Sequence, residues 1–181
     1  DWIAERKAIR AVRSHWEQLA GVASSVGDPR STVTMVEFMD YQCPACRAAR
    51  DAVDSLTRQV LVRVAVRHLP FVMLHPRARD AAIASICAEA AGIFPAYHDL
   101  LLSSDEWQDS AGPWAAMALA AGAGDTVAFN VCLAGDEPVE RLRADSILAE
   151  LIGVRSVPTF LTHERVLPGL PSNSELIKLA R

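Results

Sequence analysis

The chain has 181 residues, 51% of them hydrophobic, and a formal net charge of -4, enough apolar material to close one substantial core and too much for a disordered tail. Acids and bases are interspersed, which excludes a polybasic nucleic-acid surface or membrane patch. Charge or proline interrupts every apolar stretch before the ~20 residues that a membrane span requires.

In chain order, Ile9, Val12, Trp16 and Leu19 recur at threes and fours, so Asp1 to Ala20 is predicted to be one amphipathic helix, with Trp2 extending its stripe. This helix either docks on its own domain, which makes a monomer the expected state, or forms a short coiled-coil seam or stalk. Gly21 to Arg30, with its Gly, Ser, Asp and Pro, is expected to be a linker. Thr32 to Phe38 (TVTMVEF) is apolar on both faces, as a covered central strand requires. A helix from Pro44 to Val60 and a strand from Leu61 to His68 follow.

Pro76 to Leu151 is almost wholly helical, in Ala-rich pieces broken by Gly and Pro. VPTFLT and ERVL then predict a strand hairpin, and Ser172 to Ala180 a closing helix capped by Ser172 or Asn173. The expected fold class is α/β, a mixed central sheet with flanking helices, carrying a helical insertion and an extra N-terminal helix. The units are residues 1–27 (helix and linker), 28–75 with 152–181 (sheet domain), and 76–151 (insertion).

Chemistry concentrates at Cys43-Pro44-Ala45-Cys46, where a strand passes into a helix. A cysteine at a helix N-terminus meets unpaired N–H groups and the positive end of the helix dipole, which stabilises the thiolate that attacks disulfides. Cys46, one turn further, is within disulfide reach and more protected. The competing readings are a zinc knuckle or two idle thiols. A zinc ribbon needs a second close ligand pair, whereas Cys87 and Cys132 are isolated and His68 and His75 lack ligand spacing. His15, His98 and His163 stand alone and receive no role, and Trp107 and Trp114 are read as packing anchors.

EFMDYQCPAC resembles the active-site segment of DsbA-like proteins of the thioredoxin superfamily. HLPFVMLHPRARDAA, ICAEAAGIFPAYHDLLLSSDEW, FNVCL and GVRSVPTFL follow the order of the subgroup with an all-helical insertion, so the likeness runs from Thr32 to the C-terminus. It implies a thioredoxin fold and a disulfide oxidoreductase whose redox centre is Cys43 with Cys46, with no metal and no organic cofactor. It implies that Pro158 is a cis-proline against the cysteines, that Val157 before it contacts clients, and that Glu37 is a buried acid moving the proton of Cys46. On the residues alone, Pro158 can equally sit in a trans turn and Glu37 can be solvated.

The same subgroup often bridges Cys87 and Cys132, a disulfide worth ~4 kcal/mol in the loop-entropy model; two free core cysteines are the alternative. Pro44-Ala45 tunes the site away from the Pro-His of the strongly oxidising DsbA and the Gly-Pro of reducing thioredoxins, so a milder oxidant is expected. The implied partners are cysteine-containing exported proteins and a quinone-linked membrane oxidase. The implied location is extracytoplasmic, in a bacterial periplasm or cell envelope; from the start at Asp1 without a methionine, a removed signal peptide or membrane anchor is the expectation. A reductase or isomerase with the same site, and a non-enzymatic peptide-binding or chaperone module, are the rival functions.

Overall fold

The computed structural model describes residues 2–109 and 112–181. Its sheet has five strands in the order β1-β3-β2-β4-β5. The centre is the parallel pair β2 (Thr34–Met39) and β3 (Arg63–His68), joined by the right length of crossover for a helix, α3 (Pro44–Gln59). Both strands are almost wholly buried, which explains the apolar run of β2 on both faces. β4 (Thr159–Leu161) pairs antiparallel with β2 and β5 (Val166–Pro168) with β4, forming the expected hairpin.

β1 (Ser25–Gly27) lies within the stretch expected as a linker. It pairs antiparallel with β3 and closes the other sheet edge. Gly27 makes this possible: its φ is 84°, and a Cβ there would stand 2.2 Å from the carbonyl oxygen of Val62.

Helices cover both faces. Met35, Val64 and Phe160 point to one side and pack with Ala49, Val53 and Leu56 of α3 and Leu176 and Leu179 of α10 (Asn173–Leu179). Ser172 is the N-cap of α10, in a reciprocal capping box with Glu175. Val36, Phe38, Ala65 and Leu161 face the other layer, built from the first helices and the insertion.

The single first helix of the sequence reading is two, α1 (Trp2–Ser14) and α2 (Trp16–Ala20). They break at His15, whose Nδ1 lies 2.9 Å from the Ala11 carbonyl that its own N–H also meets. The stripe docks rather than projecting: Val12 and Leu19 are buried in the core and α1 packs on α9 (Glu137–Ile152). Trp2's side chain lies outside the described residues. Two arginines of β3 hold the end of α2, where carbonyls lack helical partners. Arg63 donates to the Ala20 and Val22 carbonyls, and Arg67 to Gln18 and Leu19. Buried Arg67 is paired with Asp145 of α9 at 2.7 Å, and Asp145 also accepts the His68 N–H at 2.8 Å. One ion pair thus joins the first helices, the sheet and the insertion.

The insertion centres on α4 (Ala78–Ala90), buried without a break from Ala81 to Ala88 because α5 (Phe94–Ser103), α8 (Val127–Ala134) and α9 pack around it. α6 (Glu106–Asp109) and α7 (Trp114–Ala120) complete it, with Trp107 fully buried and its ring 5.9 Å from Trp114. Cys87 of α4 and Cys132 of α8 form a disulfide across a sequence separation of 45. Closing a loop of that length removes about 4 kcal/mol of chain entropy from the unfolded state. Cys87→Ser/Cys132→Ser is therefore expected to lower the unfolding free energy in urea by about 4 kcal/mol while leaving the Cys43 alkylation rate unchanged.

Candidate active site

The turn from β2 into α3 carries the site. Asp40 follows the strand directly, its carbonyl accepts the Cys43 N–H at 3.1 Å, and Cys43 becomes the N-cap of α3 with Pro44 as the first helical residue. Proline suits that position because the N–H it lacks would have no helical partner there. Cys43 is partly exposed and Cys46 buried, and both are free thiols.

The Cys43 thiol is lowered from 9.0 to about 6, first by a hydrogen bond from the Cys46 thiol, then by the backbone N–H groups of Cys46 and Ala45. Burial and the negative charge of Asp40 oppose this. Ala45 has no donor in its side chain, but its backbone N–H at the helix start supplies one. Cys46 is pushed far up, first by burial, then because its proton is engaged by Cys43. The pair is thus split into a stabilised thiolate and a firmly protonated thiol.

Opposite the cysteines, the Val157–Pro158 peptide bond is cis. The Val157 carbonyl lies 3.8 Å from Cys43 Sγ, within reach of the thiol proton, while the Val157 side chain packs inward. Pro158 leads directly into β4, and its carbonyl accepts the Gly169 N–H at 2.8 Å, tying this loop to the β5 end.

Glu37, on the same strand face as Met35, is only 4% exposed, which removes the solvated alternative. Burial raises its carboxyl to about 8. Glu37 and Cys46 line one cavity of about 270 Å³, whose wall includes Arg50, Asp54, His98 and Asp99. The Arg50–Asp99 ion pair, 2.6 Å, stands in that wall. A protonated carboxyl therefore shares a cavity with the Cys46 thiol and can exchange a proton with it.

Sequence reasoning passed over three features. His98, read as isolated, is buried with Nδ1 2.8 Å from the hydroxyl of Tyr41, which also meets Ser85 at 2.7 Å. His68 lies beneath Tyr41, ring centroids 5.6 Å apart. Burial lowers both imidazoles to about 3, so they are neutral at physiological pH. Asp40, the third, is buried and bonded to His75 at 2.7 Å. Tyr41's position inside the motif was the available signal for the first two; no local signal pairs Asp40 with a histidine 35 residues away. Among the described residues, no three His, Cys, Asp or Glu side chains are grouped to hold a metal ion.

A stabilised thiolate at a helix N-terminus, a buried partner thiol and a cis-proline loop meet on this sheet, an arrangement chemically suited to thiol-disulfide exchange. The family model described as Thioredoxin matches residues 20–179, and the chain belongs to the thioredoxin family. Among solved structures, it is similar to a thioredoxin-like oxidoreductase from Silicibacter pomeroyi, at 27% identity and a TM-score of 0.77, over 90% of this chain and 94% of that one. It also shares its fold with the thiol-disulfide exchange protein alpha-DsbA2 from Wolbachia pipientis, at 19% identity and a TM-score of 0.83, over 94% and 92% of the two chains. Among curated proteins it is 35% identical to a Na(+)/H(+) antiporter NhaA 3 from Salinispora tropica, over 85% of this chain and 23% of that protein. The chain thus spans about a quarter of the length of the curated relatives it matches.

Two pH signatures follow. Alkylation of Cys43 should rise with pH around a midpoint near 6 rather than near 9. Between 4.5 and about 8 the native state keeps the Glu37 proton that the unfolded chain releases, so this group makes stability fall as pH rises through that window. Glu37→Gln cannot ionise; it is expected to stabilise the protein at pH 7 by up to ~3 kcal/mol, a gain that urea melts should show vanishing near pH 4.

Proposed function

We propose that this chain introduces disulfides into exported proteins, using the Cys43–Cys46 pair as its only redox group and no metal or organic cofactor. The observation that carries the reading is the unequal pair: Cys43 held as thiolate near neutral pH, Cys46 held as thiol. A client thiolate attacks Cys43 Sγ of the oxidised pair, forming a mixed disulfide and expelling Cys46 as thiolate. That leaving sulfur takes up a proton, and Glu37, protonated up to about 8, shares its cavity and can supply it. A second client thiolate then attacks the client sulfur, and the Cys43 thiolate leaves with the electron pair. The stability of that thiolate favours the reduced enzyme and so the oxidised client.

In this reading Pro158 and the Val157 backbone edge receive the client, which lies along the loop facing Cys43 as an added strand. The two electrons pass to a membrane partner, for which a quinone-linked oxidase suits the chemistry. The Cys87–Cys132 disulfide supports an extracytoplasmic setting, the periplasm or cell envelope, and α1 packed on its own domain supports a monomer. Among the described residues no helix is long and apolar enough to cross a membrane. The likeness to antiporters favours a second setting, in which this domain works beside a membrane-embedded partner; transport itself is not proposed for the described fold.

The deciding experiment is the equilibrium reduction potential of Cys43–Cys46 in glutathione buffers, read by mass spectrometry of alkylated protein. An oxidase should lie above about -200 mV, whereas a value near about -270 mV would make the chain a reductase. Cys46→Ser is expected to accumulate the mixed disulfide with a client peptide, and Cys43→Ser to abolish exchange. Peptide binding that survives Cys43→Ser with no exchange in the wild type would instead establish the non-enzymatic module.

A further inference from the structure

Asp40 is 2% exposed, and its carboxylate reaches two segments of chain. Oδ1 accepts the N–H of Gln42, in the turn that delivers Cys43, at 2.8 Å. Oδ2 accepts the N–H of Phe71 at 2.9 Å and lies 2.7 Å from Nδ1 of His75. Through its backbone, Asp40 also meets both cysteines: its N–H points at Cys46 Sγ, 3.4 Å, and its carbonyl holds the Cys43 N–H. Two neighbouring bonds reinforce the junction, Arg77 N–H to the side chain of Gln42 and Leu69 N–H to the Met39 carbonyl, both 2.8 Å.

The segment so fastened is unusual in what it shows to solvent. Phe71 to His75 closes on itself, with the N–H groups of Leu74 and His75 both donating to the Phe71 carbonyl. Its tip exposes Val72 by 47%, Met73 by 93% and Leu74 by 77%. Three adjacent apolar side chains held out on a hydrogen-bonded loop gain nothing for the fold. A locked loop also loses little entropy when it meets a partner.

We propose that Asp40 is a positioning residue for disulfide exchange: its buried carboxylate fastens the apolar 71–75 loop to the turn carrying Cys43, so that a client meets loop and nucleophile as one unit. This rests on the exchange function proposed above. The client it favours is an extended chain with apolar residues beside its cysteine, because only such a chain touches Cys43 and the loop together. Glutathione disulfide has no apolar side chain to set against Val72, Met73 and Leu74, and reports on the thiol alone. The arrangement has a cost that identifies it, since the Asp40 charge opposes the Cys43 thiolate. A residue serving thiolate formation alone would be better neutral.

The test compares kcat/KM for a disulfide peptide with apolar flanks against the rate with glutathione disulfide, in wild type, Asp40→Asn, His75→Ala and Met73→Ser. In Asp40→Asn either amide orientation sets an NH2 group against a backbone N–H, of Gln42 or of Phe71, and the charge facing Cys43 is gone. The peptide-to-glutathione ratio should fall roughly fivefold or more in all three variants. The Cys43 alkylation midpoint should move to lower pH in Asp40→Asn and stay put in Met73→Ser. A merely structural Asp40 would slow both substrates together and leave the ratio alone. Ratios within about twofold of wild type in His75→Ala and Met73→Ser overturn the inference, and these two variants decide it even if Asp40→Asn does not fold. A wild type that exchanges with neither substrate overturns the proposed function as well; one that exchanges with both at an unaltered ratio in the variants overturns only the role of Asp40.

Discussion

The hydrogen bond from the Cys46 thiol to the Cys43 sulfur is the interaction on which the rest of the site depends. It is the largest contribution to lowering Cys43, and the same contact helps to hold the Cys46 proton in place. It exists because Pro44 starts α3 immediately after Cys43, which sets the cysteines one helical turn apart on one side of the helix. The central strand β2 delivers this turn to the protein surface, and the β4 loop with its cis-proline closes over it from the neighbouring strand. Sheet order, helix start and thiol asymmetry are therefore one geometric fact seen at three scales.

Beneath the turn three fully buried ionisable groups are held in uncharged forms. Burial raises the carboxyl of Glu37 to about 8 and lowers His68 and His98 to about 3. In the cavity that Cys46 lines beside the Arg50–Asp99 ion pair, a neutral carboxyl can give and take a proton. The exceptions are paired. Arg67 with Asp145, and Asp40 with backbone N–H groups and His75, remain buried because every charged group there has partners. The first clamps helices to sheet, and the second joins the nucleophile's turn to an exposed loop.

The sequence announced the parts of this structure that are local. β2, α3 and their cysteine pair could be read because a doubly buried strand, an N-terminal proline and a Cys-x-x-Cys spacing each act over a few residues. The helical insertion was legible for the same reason, from Ala-rich segments and glycine breaks. β1 was hidden because Ser25–Gly27 has a linker's composition and becomes a strand only by pairing with β3. The break at His15 was hidden because the apolar stripe runs through it unbroken, while the backbone N–H of His15 is shared between the Ala11 and Val12 carbonyls. Asp40, His98 and His75 were out of reach because their meaning lies in partners dozens of residues away. The Cys87–Cys132 bridge and the role of Glu37 were expected through resemblance; what the structure adds is their place, a bridge from α4 to α8 and a buried wall of the cavity beneath Cys46.

Ala45 shows how the environment sets the strength of such a site. A side-chain donor between the cysteines can draw a thiol as low as about 3.5, as in DsbA. Here the backbone N–H groups of α3 and the thiol of Cys46 act alone, against burial and the charge of Asp40, and the balance settles near 6. That lies near the value of about 7 for thioredoxin and well above that of DsbA, so the thiolate is a poorer leaving group than DsbA's. The thiolate's stability thus follows the Asp40 charge as well as the dipeptide between the cysteines. A partly stabilised thiolate is what a helix N-terminus produces when no side chain assists it and one carboxylate resists it.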